Sequence, residues 1–458
     1  MFLGLCPALT KHRTNRRSKS PVPREFADMA SETHTRPSTW RWYICAALFV
    51  ATALNYLDRQ VFSTLAPDLQ TAIGWSELGY GRMVVAFQLA YSGMMLASGP
   101  IIDLLGTQRG LAAAVGLWSI VEAAHAYVRT PFAFGVARFF LGLTEAANFP
   151  AAIKAVAEWF PSDERAFATG IIISGVGFGA IAAPIVVPIV SAHYGWRAAF
   201  VLTAAVGPVW LAAWWLLHRV ARETRPDRQA PDVPRPEPVP WRQMLRLRQT
   251  WAIAVAKALA DPVWWFYLFW LPKFLAEEHG VHGAEATPYL AAVYVCADVG
   301  AIAGGYASSL MLKRGWSLNA ARKGVLLLIA VVITPMVMAA GRVESASLAM
   351  TLVAIACGAH QAWSAILWTL NSDLFPSRCA ASVTGLGAFV AGLSSVIAAE
   401  LTGRALTHSP GHYQIVFIVA GLLYPTGLAV LHLLSPMLTP ATIPSAVHRR
   451  PAPDRRAV

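Results

Sequence analysis

Asp58 and Arg59 stand side by side in an apolar run over residues 42–64, and Arg138 and Glu145 lie seven residues apart in another, over 132–153. An ionisable side chain in hydrocarbon costs at least about 2.5–3.5 kcal/mol, so each of the four calls for a partner or a task. A guanidinium presents a planar fork of donors that fits a carboxylate, and Arg59 is expected to hold an organic acid. The structural alternative is an ion pair that locks the first helix. Neighbours on a helix point about 100° apart, so Arg59 should face a cavity and Asp58 a neighbouring helix. Seven residues put Arg138 and Glu145 on one face, about 10.5 Å apart along the axis. Each must therefore find its partner elsewhere, and Asp58 is the expected partner of Arg138. Glu145 precedes Ala146 and Ala147, an apolar setting in which a carboxyl can carry a proton. The alternative is a permanently neutral hydrogen-bonding group.

Other polar side chains in apolar runs have plainer readings. Lys257 and Asp261 are (i, i+4) neighbours and are expected to pair, with Lys257 as a second anion contact the alternative. Glu400 lies near a helix end as a gate or a snorkelling group. Glu122 and His125 approach a helix end and are expected to reach water, and Asp298 is assigned to helix packing. His360, beside Gln361, is expected to be a hydrogen-bonded structural residue.

The elements that must position these groups follow from composition. Of 458 residues 56% are apolar and only 14% charged, little more than half the charge of a soluble domain. Apolar runs fall at 42–64, 81–102, 110–128, 132–153, 167–190 and 198–218, then at 250–274, 287–312, 324–341, 347–370, 382–403 and 413–435. Each is about as long as the roughly 20 residues that cross a hydrocarbon core. The expected fold is all-α integral membrane, with twelve transmembrane helices in two six-helix bundles. Residues 1–41 form an N-terminal segment in which Met29 is a possible true start. Residues 42–218 form the first bundle, 219–249 a Pro/Arg-rich linker, 250–435 the second bundle and 436–458 a tail.

The +12 formal charge would suggest nucleic acid in a soluble chain. Here the cations sit in alternate loops: eight Lys/Arg up to Arg41, eight more from Arg219 to Arg248, and others at Arg109, Lys154, Arg165, Lys313, Arg314, Arg322, Lys323 and Arg378. That bias places both termini and the linker in the cytoplasm. The halves also repeat. Phe160-Pro161-Ser162 with Thr169-Gly170 recurs 215 positions later as Phe375-Pro376-Ser377 with Thr384-Gly385, and Gly99 to Arg109 is matched by Gly304 to Arg314. Duplicated units with a substrate site between them are a transporter architecture.

No phosphate loop or metal-ligand cluster is present in the sequence, and the five cysteines have no metal spacing. Gly175, Gly177 and Gly179 lie within an apolar run without the preceding strand a dinucleotide site needs; they are read as a helix-packing strip. No enzymatic activity, cofactor or metal is expected.

The loop Gly99-Pro-Ile-Ile-Asp103-Leu-Leu-Gly106-Thr-Gln-Arg109 is similar to the signature of the major facilitator superfamily, with Leu104 where a basic residue is usual. On this resemblance Gly99, Asp103 and Arg109 are gating residues: the glycine permits close helix contact, and the aspartate caps a helix or pairs with an arginine to hold a cytoplasmic gate shut. Within that superfamily the chain resembles the anion:cation symporters, and especially their bacterial hexuronate branch. The resemblance rests on Asn55 to Arg59, Arg138 to Pro150, Ala155 to Pro161, Asp261 to Lys273, His360 to Ser364 and Asp373 to Pro376. It implies that Asp58 and Glu145, with Arg138, couple transport to protons.

Sugar hydroxyls call for amides, hydroxyls and flat aromatic faces. The candidates beside Arg59 are Tyr56, Tyr91, Trp264, Tyr267, Gln361, Trp363 and Asn371, each with packing or interface anchoring as the ordinary alternative. The combined expectation is a monomeric, multi-pass transporter of the bacterial inner membrane that imports a hexuronate by proton symport with alternating access. Its partners are a small organic anion, protons and lipid, with no nucleic acid. The alternatives are another carboxylate, such as an aldonate or aromatic acid, and a non-transporting membrane sensor.

Overall fold

The computed structural model describes residues 39–75, 77–223, 239–281, 283–408 and 413–443. The expectations for the N-terminal segment with Met29, for residues 224–238 of the Pro/Arg-rich linker and for most of the tail lie outside these residues. The described helices belong to one compact unit. In chain order they are α1 (Trp40–Thr64), α2 (Ala66–Ile73), α3 (Glu77–Leu105), α4 (Thr107–His125), α5 (Pro131–Glu145), α6 (Asn148–Trp159), α7 (Ser162–Tyr194) and α8 (Trp196–Glu223). There follow α9 (Trp241–Met244), α10 (Arg248–His279), α11 (Thr287–Lys313), α12 (Leu318–Ala340), α13 (Ala346–Leu374), α14 (Ser377–His408) and α15 (Tyr413–Leu434).

Helices are what apolar runs must form where no water can satisfy backbone groups. Among the described residues, eight helices are long and apolar enough to cross a membrane: α3, α7, α8 and α11 to α15. The α10 pair, bent by 53°, makes a possible ninth. Pro272 within α10 cannot donate to the carbonyl four residues back, which accounts for a bend there. The remaining long helix α1 and the shorter α4, α5 and α6 carry the buried charges Asp58, Glu122, Arg138, Glu145 and Lys154. Large apolar side chains such as Leu89, Ile120, Val209, Leu328, Val396 and Ile415 are exposed on the outside, as a lipid-facing surface requires.

The run over 132–153 is not one helix. It begins cleanly, with Thr130 accepting from the Ala133 N–H and Pro131 at the first helical position. It stops at Glu145, and α6 starts at Asn148. Pro150 lacks the N–H that would bond the Ala146 carbonyl. Two side chains take up the freed carbonyls: Asn55 Nδ2 donates to Glu145 O at 3.4 Å, and Ser98 Oγ to Ala146 O at 3.3 Å. The break is thus built in, and it fixes where Glu145 lies.

Buried apolar side chains form two clusters within residues 44–214, joined by Ala381, and one within 239–441, joined by Ala166. A fourth cluster draws on both stretches through Met95, Phe149, Ile173, Ala301, Ala365 and Trp368. The stretches meet where α7 packs on α11 and α3 on α14. Both seams are backbone-close at repeat-related glycines: a Cβ on Gly170 would overlap the Ala301 carbonyl, and one on Gly385 the Met95 carbonyl. Gly385→Val is therefore expected to cost about 1–3 kcal/mol by overpacking and to lower Tm in detergent. An unchanged Tm would show that the α3–α14 seam has room to spare.

Candidate substrate and proton site

Arg59 lies near the end of α1 and turns its guanidinium onto the break between α5 and α6. Nε and Nη2 donate to Glu145 Oε2 at 3.3 and 3.0 Å, and Nη2 also donates to Asn55 Oδ1 at 3.2 Å. The guanidinium lies 4.6 Å from the Tyr56 ring centre, 4.6 Å from Tyr91 and 4.9 Å from Phe87, so aromatic faces surround a cation that water hardly reaches. Glu145 is fully buried, and its Oε1 has no hydrogen-bond partner. Arg59, Glu145, Tyr56 and Tyr91 are thus brought together. One guanidinium already bound to a carboxylate is a site that a second carboxylate can enter only by exchange.

Asp58 points the other way, toward Thr203 on α8, as the helical angle requires. The expected Asp58–Arg138 pair is not formed. Arg138 is buried with its guanidinium 4.6 Å over both Phe62 and Phe87, and its Nε and Nη1 lack hydrogen-bond partners. Glu145 took the arginine on α1 because the helix break turns it there, which spacing within one run could not reveal. A second correction concerns Glu122 and His125. They do not reach water: both are 0% exposed, with His125 packed against Phe134 and Phe200.

Across the central cluster stands a second cation. Lys257 pairs with Asp261 at 2.9 Å, as the (i, i+4) spacing predicts, and its ammonium sits 3.8 Å from the Trp368 ring centre. Trp368 in turn stacks on Phe149 of α6, with centroids 5.1 Å apart and planes at 13°. Sequence reading passed over Phe87, Phe149 and Trp368. The only available signal was that Trp368 lies seven residues beyond Gln361, on the same face of α13.

The remaining candidates are dispersed. Trp264 and Tyr267 line a small cavity with Leu271, Pro272, Leu290, Val293 and Tyr294. His360 bonds the Tyr424 hydroxyl at 2.8 Å and stacks on Trp264. Gln361 is buried on α13; Trp363 is fully buried against Tyr424; Asn371 donates to the Trp368 carbonyl of its own helix. Asp298 on α11 rests its carboxyl on the Gly177 backbone N–H, and Glu400 forms an exposed pair with Arg404 at 2.7 Å.

At one end of the molecule the two stretches are clamped together. Asp103 on α3 pairs with Lys154 at 2.8 Å, while its other oxygen accepts from the Ser382 N–H at 2.8 Å and from the Ser382 hydroxyl. Gly99, one turn earlier, lies against the Ala381–Ser382 backbone, where a Cβ would overlap it. The partner of Asp103 is thus a lysine rather than an arginine, and Arg109 is exposed and takes no part. Arg322 bonds Asp373 at 2.8 Å and the Ser162 carbonyl at 3.0 Å. Arg165 reaches the Ser372 carbonyl at 2.5 Å, and Lys313 pairs with Glu164 at 3.3 Å. Removing one partner of a buried pair costs about 3–5 kcal/mol because the other is stranded. Lys154→Met should therefore lower Tm strongly, and Asp103→Asn added to it should recover part of the loss. Strict additivity of the two would show that the pair is uncoupled.

Residues 48–399 match the Major Facilitator Superfamily. The chain is 31% identical over 427 residues to the hexuronate transporter of Escherichia coli strain K12, covering 90% of this chain and 98% of that one. It is 32% identical over 289 residues to the galacturonate transporter of Dickeya chrysanthemi, covering 60% of this chain and 83% of the relative. The fold is similar to that of the Escherichia coli fucose:proton symporter FucP, with a TM-score of 0.66 at 14% identity, covering 86% of this chain and 99% of that structure. With its apolar helices, this chain belongs to the Major Facilitator Superfamily and is a multi-pass transport protein of the bacterial inner membrane.

Proposed function

We propose that the chain imports a hexuronate by proton symport, with Arg59 as the carboxylate anchor and Glu145 as the group that must be protonated before the anchor is free. The observation that carries this reading is the buried Arg59–Glu145 pair among Tyr56, Tyr91 and Phe87. A single guanidinium serves either its own carboxylate or that of the solute. A proton on Glu145 breaks the ion pair and leaves Arg59 to the incoming anion. Release of that proton on the other side restores the pair and expels the solute. Asp58 and Arg138 complete the coupling set.

In this reading α1, α3, α4, the α5–α6 pair, α7 and α8 form a bundle over residues 42–218, and α10 to α15 form the second over 250–435, giving twelve spans. Lys154, Arg165, Lys313, Arg314, Arg322, Lys323 and Arg378 lie at or beside the clamped end, which supports a cytoplasmic placement of that end and of both termini. The two bundles rock about Arg59, and Asp103 and Gly99 act in the inner gate. Tyr56 and Tyr91 offer hydroxyls and rings to the solute, and Trp264, Tyr267 and Gln361 face it from the second bundle. The chain works as a monomer without a cofactor. One proton with one monoanion is electroneutral, and each pH unit supplies about 1.4 kcal/mol per proton.

The second reading is another carboxylate, an aldonate or an aromatic acid. One observation favours the aromatic acid, which has few hydroxyls to satisfy: the carboxylate anchor is assembled, whereas Trp363 and Asn371 are turned away into packing.

Uptake of labelled glucuronate into proteoliposomes, with and without an inward proton gradient, tests the proposal. The gradient should drive accumulation, and Arg59→Ala should cut uptake by at least about 30-fold, the effect of losing about 2 kcal/mol from a buried charged contact. Uptake indifferent to the gradient would remove proton coupling. Gradient-driven uptake of galactonate with none of glucuronate would select the aldonate reading.

A further inference from the structure

Three carboxyls and two guanidinia share one buried set in the first half of the chain. Asp58, Glu122 and Glu145 are each at most 2% exposed, Arg138 is 3% exposed, and Arg59 closes the set through Glu145. Glu122, Asp58 and Glu145 act electrostatically on one another, and Arg138 acts on Glu122 and Glu145. The groups that face Glu122 are therefore Asp58 from α1, Arg138 and Glu145 from α5, Thr203 from α8 and His125 from its own helix; Tyr80 of α3 stands beside Arg138. His125 Nδ1 lies 2.9 Å from the Val121 carbonyl, which can only accept, while the buried Nε2 has no partner. That arrangement suits a neutral imidazole. Two cations against three carboxyls leaves one negative charge in excess, in a place without water to solvate it.

Geometry says where the compensating proton sits. Glu145 holds Arg59. Glu122 alone of the three has both carboxyl oxygens without a hydrogen bond, the Thr203 hydroxyl beside it donating instead to the Phe200 carbonyl at 3.3 Å, so a carboxylate there would be poorly solvated. The Thr203 hydroxyl lies beside both Glu122 and Asp58. We propose that Glu122 is a third proton-holding carboxyl of the transport cycle, which stores the proton that balances the buried set and passes it to Asp58 through the Thr203 hydroxyl. In that step the Glu122 O–H bond breaks as Thr203 oxygen accepts its proton. Thr203 gives its own hydroxyl proton to the Asp58 carboxylate, so Glu122 becomes a carboxylate and Asp58 an acid. His125 positions Glu122 and remains neutral. This rests on the proton-symport reading and adds a residue to it.

The test is infrared spectroscopy together with transport in proteoliposomes. Substrate-free protein near neutral pH should show a protonated-carboxyl C=O stretch that Glu122→Gln removes. In that variant gradient-driven glucuronate uptake should fall about tenfold or more, the scale of a lost proton-transfer group, while counterflow, which needs no net proton movement, falls far less. A wild-type protein without the band overturns the proposal, as does a band that survives Glu122→Gln. A wild type blind to the proton gradient sinks the symport reading itself. A responsive wild type matched by Glu122→Gln in both measurements sinks only the role of Glu122. If Glu122→Gln loses counterflow as well, Glu122→Asp carries the test: it should shift both the band and the pH midpoint of uptake, and failure to shift either overturns the proposal.

Discussion

A buried guanidinium in an apolar span cannot stay unpaired, and Arg59 has one carboxylate within hydrogen-bonding reach. Its 3.0 Å contact with Glu145 is the constraint from which the rest of the site follows. Neither partner can be solvated where it sits, so each makes the other tolerable, and any event that neutralises one frees the other. In the proposed symport, coupling between a proton and an anion then requires no large signal across the molecule. It requires only that the two compete for the same five donors.

That competition depends on backbone geometry as much as on charge. Glu145 reaches Arg59 because α5 stops there, and α5 stops there because Pro150 cannot donate to the turn before it. The exposed carbonyls would be costly in hydrocarbon, and Asn55 and Ser98 meet them from α1 and α3. The residue that supplies an amide to the break, Asn55, also accepts from Arg59. Helix break, anchor and carboxylate are therefore one assembly. Ser98 belongs to the same helix as Asp103, so the site and the clamp share α3.

The sequence foretold the apolar runs because their length is dictated by the bilayer, and the repeat because its motifs carry the seams. Gly170 and Gly385, noticed only as a spacing, are points of close backbone approach between the two stretches. It foretold that Asp58 and Arg59 would point apart because an angle on a helix is local. It failed wherever the answer lay between helices. Asp58 seemed the natural partner for Arg138, yet Arg138 rests on Phe62 and Phe87, since an aromatic face can hold a guanidinium as an acid does. Glu122 and His125 seemed close enough to a helix end to touch water, but both are buried, His125 against Phe134 and Phe200 from α5 and α8. Trp363, two residues from Gln361 in sequence, turns into the core against Tyr424.

The clamp differs from the anchor in a way that suits alternation. At the anchor one charge pair does most of the holding. At the clamped end the load is divided among Asp103 with Ser382 and Lys154, Arg165 with the Ser372 carbonyl, Arg322 with the Ser162 carbonyl, and Lys313 with Glu164. Several of these contacts join a charge on one stretch to a backbone group on the other, so opening strands no second charge in the interior. Lys154 and Asp103 both belong to the first stretch and stay paired while Ser382 departs. Arg322 and Asp373 likewise both belong to the second. Apart from Arg165–Asp373 at 3.6 Å and the half-exposed Lys313–Glu164, the ion pairs are kept within each half; when those two part, Asp373 keeps Arg322 and Glu164 keeps Arg41. A seam built this way can part with each buried carboxylate keeping a cation of its own half, which suits the alternation proposed above.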